Sequence, residues 1–218
     1  MPNRSCIAHE RRGFLLASLA AGTMLALPLT ARAAQIAELE GRVLINRRQA
    51  NPKSAVFAGD AIEVGPASKL VFTLNHDAFL LRAGSKLRLE KKSEFEPLVA
   101  GLRLVTGALA VAFGKGRKKI YSPTATAGIR GTGIYLESRP DVTYFCTCYG
   151  AVDLAARGNA SNRDREAVVS TRHVSRYIYP NPKGGSRIVP APTINHTDEE
   201  LAMLEGLMGR SCPLMTNK

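Results

Sequence analysis

Between Gln35 and about Ala156 the chain alternates short apolar runs with turn formers. The runs are GRVLIN, DAIEVG, KLVFTL, AFLLRAG, KLRLEK, LRLVTG, ALAVAFG, KKIYSP, GIYLES, VTYFCTCYG and AVDLAA. Within Leu70-Val71-Phe72-Thr73-Leu74 and Leu87-Arg88-Leu89 the apolar residues recur at every second position, the period of a half-buried strand. Gly, Pro, Asn and Asp punctuate the chain at roughly 8–12-residue intervals, and no stretch holds a helical period over three turns. This pattern predicts an all-β fold, a sandwich or roll of short, mostly antiparallel strands.

Beyond Ala156 the pattern changes. RGNASNRDRE reads as a polar loop, AVVSTRHVSRYIY as one or two further strands, and PNPKGGSRIVPAPT as a run of turn formers. A helix is predicted over about 198–209: Thr197 and Glu200 form a capping box, Asp198 and Glu199 occupy the first turn, and Gly209 is placed to end it. Leu201, Leu204 and Met208, with Leu207 beside them, make the stripe that should pack on the β body. The expected organisation is a β domain over 34–156 and a C-terminal extension over 157–218.

The first 33 residues stand apart. A polar start with Arg4, Arg11 and Arg12 precedes GFLLASLAAGTMLALPL and then Ala31-Arg32-Ala33, an A-x-A cleavage pattern. The apolar run is shorter than the roughly 20 residues of a spanning helix and contains Gly22 and Pro28. A cleaved signal peptide is expected, and ERRGFLL resembles the twin-arginine export signal. The mature chain would then work in the bacterial periplasm or outside the cell, with no transmembrane helix.

The formal charge is +12, from 30 Lys and Arg against 18 Asp and Glu. Loss of Arg4, Arg11, Arg12, Arg32 and Glu10 with the signal leaves 26 against 17, or +9. Such a balance favours anionic partners, among them a cell-wall polymer or lipid head groups. Nucleic acid is not expected, since no recognition helix or RNA-binding signature is present. The basic run GKGRKK, with Lys115, Arg117, Lys118 and Lys119, reads as a hairpin tip that is either a solvated turn or a docking patch for an anionic polymer.

Three cysteines remain in the mature chain: Cys146, Cys148 and Cys212. On a strand Cys146 and Cys148 share a face with Cα atoms about 6.6 Å apart, near the outer limit for a disulfide. Three readings stay open. The two thiols pack as small hydrophobes, one of them pairs with Cys212, or both bind a zinc, copper or iron ion with His173 and His196 completing the set. His76, in LNHDAF, reads as a solvent-facing turn residue. No G-x-S-x-G elbow or H-E-x-x-H helix occurs, and no enzymatic activity is expected.

The order of the segments carries a resemblance. AGDAIEVGPASKLVFTL, a strand ending near Ser85, LRLVTGALAVAF and YSPTATAGIRGTGIYLE together resemble the FecR periplasmic-domain family over Leu39–Leu154. Its signature falls on Pro123, Gly128, Arg130, Gly131 and Thr132, as an apolar strand followed by an Arg-Gly-Thr turn. The resemblance implies a β fold used for protein contact and signal sensing at the cell envelope. The regulators that name the family carry an anti-sigma segment and a membrane helix ahead of this part, and this sequence shows neither. From the residues themselves, Gly128, Gly131 and Gly133 permit tight strand junctions, and Arg130 either braces them or serves as an anion site. The two functional expectations are therefore an exported, non-enzymatic envelope-binding module recognising a protein or anionic polymer, and a metal-binding or metal-sensing protein.

Overall fold

The computed structural model describes residues 35–91, 99–158 and 161–216. The expected signal peptide lies outside the described residues. Seven short strands come first: β1 (Gln35–Glu40), β2 (Val43–Ile45), β3 (Arg48–Gln49), β4 (Ala61–Val64), β5 (Lys69–Leu74), β6 (Asp77–Leu81) and β7 (Lys86–Lys91). There follow β8 (Val99–Ala112), β9 (Arg117–Tyr121), β10 (Ala125–Ser138) and β11 (Thr143–Ala156), then β12 (Arg165–Ser170), β13 (Val174–Lys183) and β14 (Ser186–Ala191). Helix α1 (Asp198–Leu207) and the single turn α2 (Pro213–Thr216) are the last elements among the described residues. The fold is mostly β with a helix near the C-terminus, as the patterning predicts.

Strand length departs from the prediction. LRLVTG and ALAVAFG are the two halves of β8, and VTYFCTCYG and AVDLAA are the two halves of β11, each strand 14 residues long. In the sequence glycine reads as a terminator at both places, yet Gly107 (φ +88°) and Gly150 (φ +94°) let the strand bend and continue. The Arg130-Gly131-Thr132 signature is likewise no turn between strands. It is a bulge within β10, where the register against β11 slips between Arg130 and Gly133 around Gly131 (φ +48°).

The fourteen strands among the described residues belong to one sheet. Described pairings are antiparallel except β8 with β9, where Gly101 opposes Lys119. The bend in β8 explains this exception: its first half lies beside β7 and β9, its second half beside β6 and β10. GKGRKK is therefore not a hairpin tip, because β8 and β9 run in the same direction. β11 pairs with β10 along one edge and with both β12 and β13 along the other, so the C-terminal strands extend the same sheet.

One face of this sheet closes around the main core, which includes Phe72, Phe79, Leu87, Leu102, Leu104, Ile134 and Phe145. On the opposite face α1 packs on β6 and β8, and Leu201 and Leu204 belong to a second apolar cluster that also includes Val71, Ala78, Leu80, Ala110, Ala112, Tyr135, Cys146 and Cys148. β6 thus lies between two apolar layers, and all five of its residues are buried. The capping box forms as predicted, with Thr197 accepting from the Glu200 N–H and Glu200 from the Thr197 N–H. Leu207 falls outside the apolar stripe and is exposed. No helix among the described residues is long and apolar enough to cross a membrane.

A Cβ at Gly107 would lie 2.4 Å from Ser85 Cα, on a backbone already at positive φ. Gly107→Ala should therefore destabilise the fold by at least about 2 kcal/mol. The measurement is a urea transition, whose midpoint should fall with an unchanged m-value.

Candidate metal centre

Strand β11 presents Tyr144, Cys146 and Cys148 to the face beneath α1, because alternate residues share a face. Both cysteines are fully buried. The turn between β12 and β13 carries His173 in a left-handed conformation (φ 38°), and its N–H donates to Cys148 O at 3.0 Å. His196 stands immediately before the Thr197 cap. The segment leading to it is held by Tyr144, whose hydroxyl donates to Pro192 O and accepts from the Ile194 N–H.

The four side chains converge, and their ligand atoms all lie within 4.8 Å of one another. Cys146 Sγ is 3.7 Å from Cys148 Sγ and 3.6 Å from His173 Nδ1. His196 Nε2 is 3.4 Å from Cys148 Sγ and 3.3 Å from His173 Nδ1. A tetrahedral zinc ion with bonds of about 2.3 Å to sulfur and 2.0–2.1 Å to nitrogen would set ligand edges near 3.8 Å for S–S, 3.5 Å for S–N and 3.3 Å for N–N. Four of the six ligand–ligand separations, those between neighbours around the ring Cys146–Cys148–His196–His173, agree with those values within about 0.2 Å, and the two across it are within 4.8 Å.

The far side of each imidazole orients it. His196 Nδ1 is 2.7 Å from Ile194 O, and a carbonyl can only accept, so Nδ1 carries the proton and Nε2 turns its lone pair toward the cluster. His173 Nε2 is 2.6 Å from Asp198 Oδ1, which directs Nδ1 toward the same point. Arg172 holds Asp198 in turn through Nη2 at 2.7 Å. Carboxylate and carbonyl partners of this kind are the usual outer contacts of metal-bound histidines. The His196 ring also stacks on Tyr135 at 4.5 Å between centroids.

The titration behaviour reflects this crowding. Cys146 is drawn down to about 3, first by its hydrogen bond with Cys148 and then by that with His173. Burial pushes Cys148 well above the ordinary thiol range. His173 is raised, chiefly by the Cys146 thiolate and then by Asp198. The protonated form of the cluster is thus a thiolate–imidazolium pair beside a neutral thiol. A dication replacing those protons would meet two thiolates, with Asp198 and Arg172 balancing each other outside, so the buried assembly would carry no net charge.

Cys212 is buried near α2 and stands outside the cluster of four. The three cysteines described are free thiols. His76 is exposed, and its carbonyl accepts from Arg210 Nη1 at 2.8 Å. Of the basic run, Lys115, Arg117 and Lys119 are exposed. Lys118 turns inward, with Nζ 3.1 Å from Asp77 Oδ2 and only 14% of its side chain accessible, so it belongs to the fold and not to a docking patch. Sequence reasoning missed Asp198 as the His173 partner because the same residue also fits the acidic first turn of a helix. It missed Tyr144 and Tyr135 because aromatic residues in strands read as core.

No family model matches the chain, and no curated protein matches it either. Among solved structures, a candidate anti-sigma factor from Parabacteroides distasonis aligns with 67% of this chain at TM-score 0.48 and 13% identity. A second structure of the same description, from the same organism, aligns with 60% of this chain at TM-score 0.47 and 11% identity. This chain spans 65% of the first structure and 58% of the second.

Metal-free protein should carry one thiolate at about pH 6, since a depressed thiol stays ionised as pH falls through the ordinary range near 8.5. Ultraviolet thiolate absorbance checks this, and it should disappear in Cys146→Ser. Absorbance that rises only above about pH 8 would contradict the assignment.

Proposed function

We propose that this chain is a zinc-binding module of the cell envelope, in which Cys146, Cys148, His173 and His196 hold one ion that fastens the C-terminal helix to the sheet. The observation that carries this reading is the convergence of two sulfurs and two imidazole nitrogens within 4.8 Å, with neighbouring separations of zinc-site length, on imidazoles whose far nitrogens are already engaged. An S2N2 tetrahedron favours zinc over copper(II) or the harder cations. Four protein ligands leave no open position for substrate or water, which supports a structural or sensing role and not catalysis.

The placement of the ligands supports a clasp. Cys146 and Cys148 belong to the middle of the sheet, His173 to a turn, and His196 with Asp198 to the entrance of α1. The ion would tie these three segments together where α1 covers its apolar patch. Zinc occupancy would then set how firmly the helix is docked, a change in packing that a partner could read. The export signal expected over residues 1–33 and the FecR-like segment order support an envelope location and a recognition role.

Zinc titration of the metal-free protein against a chromophoric chelator should give one equivalent. Cys148→Ser should abolish it, and Asp198→Asn should weaken it by about 10–100-fold. On chelation the amides of 201–208 should exchange faster while those of β6 stay protected. Absence of stoichiometric zinc in the wild type, or unchanged binding in Cys148→Ser, would refute the proposal.

A further inference from the structure

Away from α1, the same outer face of the sheet is left open. There β8, β9, β10 and β11 line a cleft of about 870 Å³. Arg117 on β9 and Arg130 on β10 are register partners, both exposed. Like charges directly opposite each other on neighbouring strands destabilise a sheet. Lys119 lies two residues beyond Arg117 on the same face, and Lys115 stands at the cleft mouth. Among the described residues no carboxylate pairs with any of these four.

The acids nearby are differently placed. Glu90 is already held by Arg103 Nε at 2.9 Å, and that guanidinium lies over the Tyr121 ring at 4.9 Å. Asp153 faces the cleft from β11, where Gly128 offers no side chain to cover it. The cleft therefore combines several cations that no described carboxylate pairs, an aromatic wall and, besides the engaged Glu90, the carboxylate of Asp153 able to accept hydrogen bonds. Adjacent strands set neighbouring cations about 5 Å apart, and residues i and i+2 about 6.6 Å apart.

We infer that this cleft binds an acidic glycan, with Arg117, Arg130, Lys119 and Lys115 engaging its repeated anionic groups and Asp153 accepting from a sugar hydroxyl. Repeated charge suits the spread of cations over two strands and the connection before them, where one small anion would leave most unmatched. A hydroxyl gives Asp153 a partner that a purely anionic ligand lacks. Arg130, which in the sequence reads as either a brace or an anion site, has its charged group on this open side. The inference does not depend on the metal reading.

The test is calorimetric titration of a heparin-derived hexasaccharide into zinc-treated wild-type protein at low and high salt, with a hexameric oligothymidylate and inorganic phosphate as comparison ligands. The hexasaccharide should bind best, and its affinity should fall with salt because exposed charges are screened. The Arg117→Ser/Arg130→Ser double variant should lose at least about tenfold in affinity. It should also melt no lower than wild type, since a like-charge pair has been removed, which separates lost binding from lost folding. Arg117→Lys should keep most of the affinity, and Asp153→Ala should weaken the hexasaccharide more than phosphate. Lack of hexasaccharide binding at low salt, unchanged affinity in the double variant, or preference for the oligothymidylate would each overturn the assignment.

Discussion

Lone pairs that point at one another inside a protein repel unless a positive charge lies among them. Ile194 O and Asp198 hold the outer nitrogens of His196 and His173, so the inner nitrogens face each other at 3.3 Å with two sulfurs alongside. Protons can satisfy this arrangement as a thiolate–imidazolium pair or as thiols donating to the inner nitrogens, whereas a dication would satisfy all four ligand atoms at once. Much of the C-terminal third is arranged around that requirement. Tyr144 fixes the approach to His196, the capping box starts α1 one residue later, and Arg172 compensates Asp198.

The helix has a second attachment at its far end. Glu205 is buried and accepts from the Tyr149 hydroxyl and from Arg210, and Arg210 also donates to His76 O and Ala112 O. Burial, and then Glu205, push the Tyr149 hydroxyl far above its ordinary range, so it remains a donor. α1 is thus fixed at its entrance through the candidate zinc ligands and at its exit through a charge-assisted network, with Leu201 and Leu204 between. Losing one attachment would loosen the helix from one end without exposing the main core, which lies on the other side of the sheet.

Period-two alternation made the β class legible, and the Thr197–Glu200 pair marked α1. The long strands were not legible, because glycine at 107, 131 and 150 has the same letter whether it ends a strand or bends one. The difference is set by what lies opposite: at Gly107 the backbone of Ser85, at Gly150 Thr132 and Gly131. Spacing within the Cys-Thr-Cys run could show that two sulfurs share a face, but whether His173 and His196 reach them depends on β13 pairing beside Cys146 and on α1 docking above it. The residue type of Lys118 gave no sign that it would turn toward buried Asp77.

The bulge at Cys148–Tyr149 links the two parts of the outer face. Before it the even-numbered residues of β11, Tyr144, Cys146 and Cys148, point away from the main core; after it the odd-numbered Tyr149 and Asp153 do, while Val152 and Leu154 return inward. A strand without the bulge would keep one parity throughout. It would then place either the cysteines or Val152 and Leu154 on the wrong side, since a slip of one residue exchanges the faces. β10 makes the matching adjustment around Gly131, with Tyr135 beneath the helix and Arg130 in the cleft. Paired irregularities in the two longest-paired strands therefore let one sheet surface carry a closed, apolar, thiol-bearing end and an open, cationic end.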